Sequence, residues 1–590
     1  MRHVVKSWHL LPHDRAGIEH LATGLGVAPV VAQLLLNRGV SQAEGARRFL
    51  LSPLRDLHAA ELLPGVTQAA DRLWDAVCQG RRICVYGDYD VDGTAGTAIL
   101  WQALRLMGAS ADFYVPHRLE EGYGLNSDAL GRIAQMGTSV VVTVDCGIGA
   151  VAEALEARRL GQELIITDHH ELRERLPDAA VLVHPRLPGT SYPFVGLSGA
   201  GVAFKLAWAL CQRACGSERV TPRYRDFLLD SVVLAALGLV ADVVPVLDEN
   251  RIFVRYGLTR LRQAPSPGLK ALLDATRLAD KAQLSADDIS FKLAPRLNAV
   301  GRLGSARMVI ELLTTTSAQR AVDLARYLED QNQQRQQVER RILVKARQMV
   351  SECDLNGTPA LVLADPEWHP GIIGIVASRL VDLYARPVLL IAFQERSQGV
   401  VVGQGSGRSV AGFALHEALA ACGDGLISHG GHAAAAGFKI QPEYIAAFRE
   451  RFCDYASRHF VSGLPAPKLI IDAEVPLSTL TIGLVRALDL LEPYGTDNRR
   501  PLFLATGLQV VGAPKCVGGG ERHLSFQVRQ QGKSLRAIAF NLAERAEELM
   551  SVDGQCSLVF TPRLNEWQGY TRVDLEVLDF QAGPQPRLTC

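Results

Sequence analysis

Between residues 61 and 245 the chain repeats one pattern, a short apolar run followed by a longer amphipathic stretch. The runs "RICVY", "ADFYV", "SVVVTV", "ELIIT" and "AVLVH" alternate with stretches such as "TAGTAILWQALRLMG" and "GAVAEALEARRLG". Runs that are nearly continuous in Val and Ile offer water no polar face, so they belong in a parallel sheet covered by helices on both sides. This confines the segment to the α/β class. It also fixes where chemistry would sit, because ligands of open parallel sheets gather at the carboxyl ends of the strands.

The remainder extends the architecture on either side. At 590 residues the chain is too long for one core, and about three or four domains are expected. Residues 1–60 read as short helices with Leu-rich faces ("VVAQLLLNRG", "AEGARRFL"). Residues 246–350 are helical and end in "SAQRAVDLARYLEDQNQQRQQVERRILVKARQMV", which holds neither Gly nor Pro. One helix of that length would span roughly 50 Å. Its polar middle predicts a solvent-exposed strut. A second α/β unit, 351–460, opens with "PALVLAD". Beyond the linker "SGLPAP", residues 466–590 carry short strands and Gly-rich turns that predict a small β-barrel.

Composition narrows the partners. Lys plus Arg equals Asp plus Glu at 62 each, so a nucleic-acid surface must be a local basic stripe. The eleven cysteines form no C-x-x-C pair and favour buried, reduced thiols over disulfides or structural zinc. "MRHVVKSWHLLPHD" lacks a signal-peptide core, and the longest apolar run, "SVVLAALGLVA", is too short to span a bilayer. A cytoplasmic protein with no membrane contact is the expectation.

Potential metal ligands follow strand after strand. "RICVY" leads into Asp88, Asp90 and Asp92, "VVVTV" into Asp145, and "LIIT" into Asp168, His169 and His170. "VLVH" carries His184, and "LAALGLVA" runs into Asp242. In "VYGDYDVDGT" the aspartates alternate, and in a strand they would repel one another on one face. A calcium loop of the EF-hand type is excluded, because its twelfth position would be Ile99 instead of a bidentate Glu. A solvated polar turn is the other reading of that stretch taken alone. Carboxylates with an imidazole suit Mn²⁺ or Mg²⁺, and the number of acids suits two ions that stabilise the attacking and leaving oxygens of a phosphoryl displacement.

In this order "DYDVDG", "VDCG", "DHH" and "ADV" resemble the four motifs of the DHH phosphoesterase superfamily, and "GGHAAAAG" resembles the signature of its companion DHHA1 domain. With "PRLNAVGRLG", "GSGRS" and the C-terminal barrel, the chain is similar from about residue 60 onward to the superfamily's single-stranded-DNA-specific exonucleases. The resemblance implies a parallel-sheet DHH catalytic domain, a DHHA1 domain reached by the long helix, and a C-terminal OB-fold. It implies two Mn²⁺ or Mg²⁺ ions, one held by Asp90 and Asp145, the other by Asp92, Asp145, His169 and Asp242. Asp168 would orient a neighbouring ligand, and His170 would contact the scissile phosphate. Many members place a His where this chain has Tyr86, so Asp88 becomes a further candidate ligand. The implied activity is 5′-to-3′ hydrolysis of single-stranded DNA to mononucleotides in repair and recombination, by a monomer working beside a single-strand-binding protein and a helicase. A phosphodiesterase for short oligonucleotides or cyclic dinucleotides is the alternative enzyme, and an inactive replication scaffold the alternative of another class.

Substrate contacts are expected from "GSGRS", where Ser406, Arg408 and backbone N–H groups between glycines would cradle a phosphate after the strand "GVVVGQ". An ordinary glycine turn is the competing reading. His432 in "GGHAAAAG" would face the site between the two α/β domains, although that motif could equally start a packed helix. Arg118 and Arg302 lie in Gly-rich stretches that read as loops and could bind phosphate or be solvated. In the barrel, Phe503, Phe526, Phe540, Trp567 and Tyr570 are candidates for base stacking, and Arg522, Lys533, Arg536 and Arg563 for a strand-tracking groove.

Overall fold

The computed structural model describes residues 6–589 apart from 119, 265, 356, 396–400, 462 and 568. The chain forms two compact units. One holds residues 58–244 and 256–466, the other 6–57, 245–255 and 467–589. The second gathers three separated stretches of sequence, a grouping that the linear division into 1–60, 246–350 and 466–590 does not contain.

In the first unit the five runs form strands β1 (Ile83–Gly87), β2 (Ala111–Tyr114), β3 (Val140–Val144), β4 (Glu163–Thr167) and β5 (Val181–Val183). They make one parallel sheet in the order β2-β1-β3-β4-β5. Cys84, Tyr86, Val141 and Ile166 point to one face, against Leu130, Ile133 and Ala157. Helix α1 (Val91–Leu106) covers the other face beside α2 (Gly199–Cys215). "SVVLAALGLVA" is not a strand. It is the buried end of helix α3 (Pro222–Ala241), apolar all round because neighbours surround it.

Helix α4 (Ala294–Leu303) precedes the long helix α5 (Ala318–Ser351), which starts on Ser317 as its N-cap. The polar middle of α5 is not wholly in water. Asn332 and Glu339 are 1% and 2% exposed. Glu339 is bracketed by Arg335 at 2.8 Å and by Arg379 of helix α6 (Ile373–Tyr384) at 2.6 Å. A charge can be buried there because it is paired.

The second sheet is mixed, in the order β9-β10-β8-β7-β6. Its strands are β6 (Leu361–Asp365), β7 (Val388–Glu395), β8 (Val401–Arg408), β9 (Leu426–Gly431) and β10 (Ala435–Ile440). Leu389 and Ile391 of β7 face an aromatic core of Phe413, Phe438, Phe448 and Phe452. Leu390 and Ala392, one residue out of phase, face Val376 and Leu380 of α6 and Ile342 of α5.

The second unit is built on a barrel of β11 (Phe503–Val517), β12 (His523–Gln530), β13 (Lys533–Ala539), β14 (Gln555–Trp567) and β15 (Tyr570–Ala582), which closes through β11–β14 pairing. Phe503, Phe526, Phe560 and Phe580 fill it. The same core takes Leu21, Val31 and Leu35 of the N-terminal helices. The strand Ser7–Leu10 pairs in parallel with Lys468–Ile471, and buried Trp8 donates its indole N–H to Asp579 at 2.9 Å. The N-terminal helices are therefore part of the barrel unit. Buried Arg251 has no carboxylate but donates to the carbonyls of Phe49, Leu491, Glu492 and Pro493.

Candidate metal centre and substrate cleft

Each loop that leaves the carboxyl edge of the first sheet continues the parallel ladder for one more residue before turning. Asp88 N donates to Val144 O, Asp145 N to Thr167 O, and Asp168 N to Val183 O. This lines up the acids across three adjacent strands. The three alternating aspartates never share a strand face. Asp88 is buried just past β1, Asp90 is the N-cap of α1 and accepts from Gly93 N, and Asp92 lies in the first turn of that helix.

Asp92 is fixed by α2, whose N-cap Ser198 donates to it at 2.7 Å while Gly199 N and Ala200 N donate at 2.6 and 3.0 Å. A Cβ on Gly199 would lie 2.5 Å from the Asp145 carboxylate, so only glycine allows this approach. Asp145 is held in the left-handed region at φ 64°, unusual for a residue other than glycine. Asp242 arrives from the C-cap of α3, not from a strand.

Three groups of donor atoms result, each within 4.8 Å: Asp88, Asp90 and Asp145; Asp145, His169 and His170; and Asp92, His169 and Asp242. His169 Nε2 lies 3.1 Å from Asp145 Oδ1, 3.5 Å from Asp242 Oδ2 and 3.9 Å from Asp92 Oδ2. Asp88 Oδ1, Asp145 Oδ1 and His169 Nε2 are buried and lack hydrogen-bond partners. Orphaned acceptors converging on a common point are costly unless a cation satisfies them, and hard oxygen donors with one imidazole fit Mn²⁺ or Mg²⁺. Burial, with repulsion from Asp90, lifts Asp92 to about 7. Burial, with Asp92 and Asp90, lifts Asp242 to about 9 and Asp145 well above the usual carboxylate range. Asp88 is raised by burial and by Asp90. Burial and the adjacent His170 hold His169 neutral, its pKa pulled down to about 3.

Asp168 stands behind this group. It accepts from Ile148 N, His169 N, His170 N and the His170 ring at 3.0, 2.8, 3.2 and 2.7 Å. Burial alone would raise its pKa, but the hydrogen bond and charge of His170 outweigh it and bring it down to about 2. His184 is not available as a ligand, since Nε2 meets His170 O at 2.8 Å and Nδ1 accepts from Arg186 N at 3.0 Å. Tyr86 is turned away from the acids, its hydroxyl donating to Gly124 O and accepting from Asn126.

Across the cleft, "GSGRS" is not the expected backbone cradle. Gly405–Arg408 lie inside β8, paired with β7 on one side and β10 on the other, so their N–H groups belong to the ladder. The glycines serve packing, since a Cβ on Gly405 would meet the Phe438 ring at 2.2 Å and one on Gly407 would meet Leu389 at 2.4 Å. Ser406 and Arg408 share the opposite face and, with Arg118, Gln404 and Pro370, line a cavity of about 290 Å³. Arg302 is not in a loop. It ends helix α4 and donates to Gly371 O at 3.0 Å. Burial and then Arg118, Arg335 and Arg408 draw its pKa down to about 9. Among the described residues no acid is paired with Arg118, Arg302 or Arg408. "GGHAAAAG" is a hairpin between β9 and β10, and His432 at its tip lies 3.4 Å from Glu171, directly after "DHH". Neither Ser198–Ala200 nor Tyr123, whose hydroxyl is 3.1 Å from His170 Nε2, was apparent from the sequence. A Ser N-cap before the small residues "GAG" was the one available signal for the former.

On the barrel, Phe503 and Phe526 are buried in the core and cannot stack on bases. Phe540 and Tyr570 are 50% and 81% exposed, and the Trp567 side chain lies outside the described residues. Lys533 and Arg536 line an outer cavity of about 590 Å³ with Gln527, Arg572 and Thr481. Arg563 is paired with Glu576 at 2.8 Å, and Arg522 is exposed.

A parallel sheet that ends in clustered aspartates and a His pair, followed by a second α/β domain whose Gly-rich hairpin reaches that pair, defines the DHH/DHHA1 class of phosphoesterase folds. The DHH family N-terminal domain matches residues 82–235, the DHHA1 domain 357–458 and the RecJ OB domain 471–579. The single-stranded-DNA-specific exonuclease RecJ of Bacillus subtilis is 36% identical over 572 residues, covering 97% of this chain and 70% of the relative. That of Thermus thermophilus is 36% identical over 522 residues, covering 88% and 71%. The crystal structure of Thermus thermophilus RecJ in complex with Mn²⁺ superposes with a TM-score of 0.83 at 33% identity, over 100% of this chain and 81% of that one. The complex with Mg²⁺ gives 0.75 over 98% and 79%. The chain belongs to the RecJ family.

Proposed function

We propose that this chain is a metal-dependent exonuclease that takes single-stranded DNA by its 5′ end and releases mononucleotides. The observation that carries the reading is one cleft with two unlike walls. One presents converging acids with orphaned oxygens, the other guanidinium groups without acids. A metal-bridged phosphodiester with a charged terminus satisfies both. The relatives named single-stranded-DNA-specific exonuclease RecJ, and the RecJ structures with Mn²⁺ and Mg²⁺, support it.

Asp88, Asp90 and Asp145 would hold one ion, and Asp92, Asp145, His169 and Asp242 the other, with Asp145 shared. When bound, the two ions supply positive charge to the attacking and leaving oxygens. His170, held through Nδ1 by Asp168, presents the other edge of its ring to the scissile phosphate and stabilises the charge that develops there. Arg118, Arg302, Ser406 and Arg408 receive the terminal phosphate, which carries more charge than an internal diester. His432 lies at the edge of the same cleft. The barrel supplies a second contact to the strand, and a single-strand-binding protein and a helicase are the partners this activity calls for. The monomer works in the cytoplasm, in repair and recombination.

The test is hydrolysis of end-labelled single strands, duplexes and RNA with Mn²⁺ or Mg²⁺, each strand carrying either a 5′-phosphate or a 5′-hydroxyl. Single strands should be shortened to mononucleotides from the 5′ end. Arg408→Ala should slow 5′-phosphorylated strands by about tenfold more than 5′-hydroxyl strands. Equal slowing of both would make Arg408 a general backbone contact. Failure to cleave any single strand would overturn the reading.

A further inference from the structure

An imidazole has two nitrogens, and in this structure both of His170 are engaged. Nδ1 is 2.7 Å from Asp168 Oδ1. Nε2 is 3.1 Å from the hydroxyl of Tyr123, which also lies 3.4 Å from the carbonyl of Asp145. The Asp168 contact is buried and supported by three backbone N–H groups on the same carboxylate. The Tyr123 contact is different. Tyr123 is 56% exposed, and its ring meets Tyr89 edge-on at 6.3 Å. Its neighbours Gly122 and Gly124 have φ of 88° and 83°, with open space where a side chain would be. A residue set between two such glycines can change direction at small cost.

The loop is nevertheless anchored at one point. Tyr86, at the position where many superfamily members carry a His, donates its hydroxyl to the carbonyl of Gly124 at 2.9 Å and accepts from Asn126 at 3.1 Å. Tyr86 thus pins the C-terminal root of the loop and leaves its tip free. On the cleft side, Arg118 lies over the Tyr89 ring at 4.8 Å, so Tyr123, Tyr89 and Arg118 form a short chain from His170 to the phosphate cavity.

We propose that Tyr123 is a positioning residue whose hydroxyl holds His170 Nε2 in place and is exchanged for an oxygen of the scissile phosphate when a strand enters. The inference rests on the reading of His170 as the phosphate contact. One nitrogen cannot serve both partners in line, and of the two hydrogen bonds on the ring only the exposed one can be given up. Tyr123 keeps the ring oriented until substrate arrives and then turns toward the cleft on its glycine neighbours. Tyr86 keeps the displacement local.

The experiment compares the full chain with Tyr123→Phe and Tyr123→Ala, in excess Mn²⁺, on a 5′-phosphorylated oligodeoxynucleotide. Loss of the hydroxyl alone removes the competitor, so Tyr123→Phe should lower KM by about three- to tenfold, the equivalent of one exchanged hydrogen bond, with kcat within about twofold of the parent. Tyr123→Ala, which also loses the ring, should reduce kcat through a poorly oriented imidazole. Strand binding by fluorescence anisotropy should tighten on Tyr123→Phe in the parent background and not in His170→Ala, because the coupling exists only while both partners do. An unchanged or raised KM for Tyr123→Phe, or equal tightening in both backgrounds, overturns the exchange while leaving the exonuclease reading intact. A parent protein that degrades no single strand removes that reading itself, and the exchange with it.

Discussion

Asp168 and His170 keep opposite charges in surroundings that penalise both. For His170, burial pulls the pKa down, but the hydrogen bond and charge of Asp168 prevail and raise it from 6.5 to about 9. For Asp168 the balance tips the other way, from 3.8 to about 2. A histidine whose folded pKa is raised contributes stability below its unfolded value and loses it as pH climbs through about 9. An aspartate whose folded pKa is depressed contributes above its unfolded value and loses it as pH falls through about 2. The pair is therefore at full strength from about pH 4 to about pH 6.5. In EDTA, NMR should show His170 titrating near the upper limit, and Asp168→Asn should bring it below the ordinary histidine value, because burial persists after its partner's charge is gone. A His170 titration unmoved by Asp168→Asn would show another group holding the proton. Asp145 makes a sharper case. It belongs to two of the three donor groups, so Asp145→Ala should abolish cleavage, by at least about a thousandfold, while strand binding stays measurable. Near-normal turnover would exclude a shared carboxylate.

At the scale of elements, the centre depends on one helix start meeting another. The first turn of α1 carries Asp92, and the N-terminus of α2 supplies Ser198, Gly199 and Ala200 to hold it. Gly199→Ala places a methyl against Asp145 and should weaken Mn²⁺ binding by about 10- to 100-fold in a calorimetric titration. Unchanged affinity would mean that the α2 terminus can recede. Which elements were legible in the sequence follows the same physics. The five parallel strands could be read because a strand buried on both faces must be apolar throughout, and Asp88, Asp145 and Asp168 were found because they follow those runs. The strand β8 misled because alternating glycines, needed where Phe438 and Leu389 press on the backbone, look locally like a turn. Arg302 looked like a loop residue because glycines flank it, yet it completes a helix. Phe503 and Phe526 were ambiguous for a different reason: alternation tells that a strand has two faces, not which one is inside. Ser198 and Tyr123 were invisible, because their partners are 106 and 47 residues away in sequence.

At the scale of the whole molecule, the barrel is not a detachable appendage. Its core is shared with Leu21, Val31 and Leu35, and Arg251 ties the carbonyls at 491–493 to that of Phe49. Ending the chain near residue 465 while keeping residues 6–57 would expose those apolar faces, and size-exclusion chromatography should find that variant aggregated. A variant that begins near residue 58 and ends near 465 removes both sides of the shared core. It should remain soluble and hydrolyse a very short oligonucleotide while losing affinity for long strands. If the first variant is monodisperse, the N-terminal helices do not need the barrel.

The parallel pairing of Ser7–Leu10 with Lys468–Ile471, and the bond from Trp8 to Asp579, also set a timetable for biosynthesis. Trp8 emerges from the ribosome early, and its acceptor follows 571 residues later. At bacterial elongation rates that is a wait of about half a minute to two minutes. During this interval the first sheet and its acids can fold, while the leading helices have nothing to close on. The nascent protein thus acquires its cutting edge before the unit that would grip a strand, and the last residues made complete a structure begun by the first.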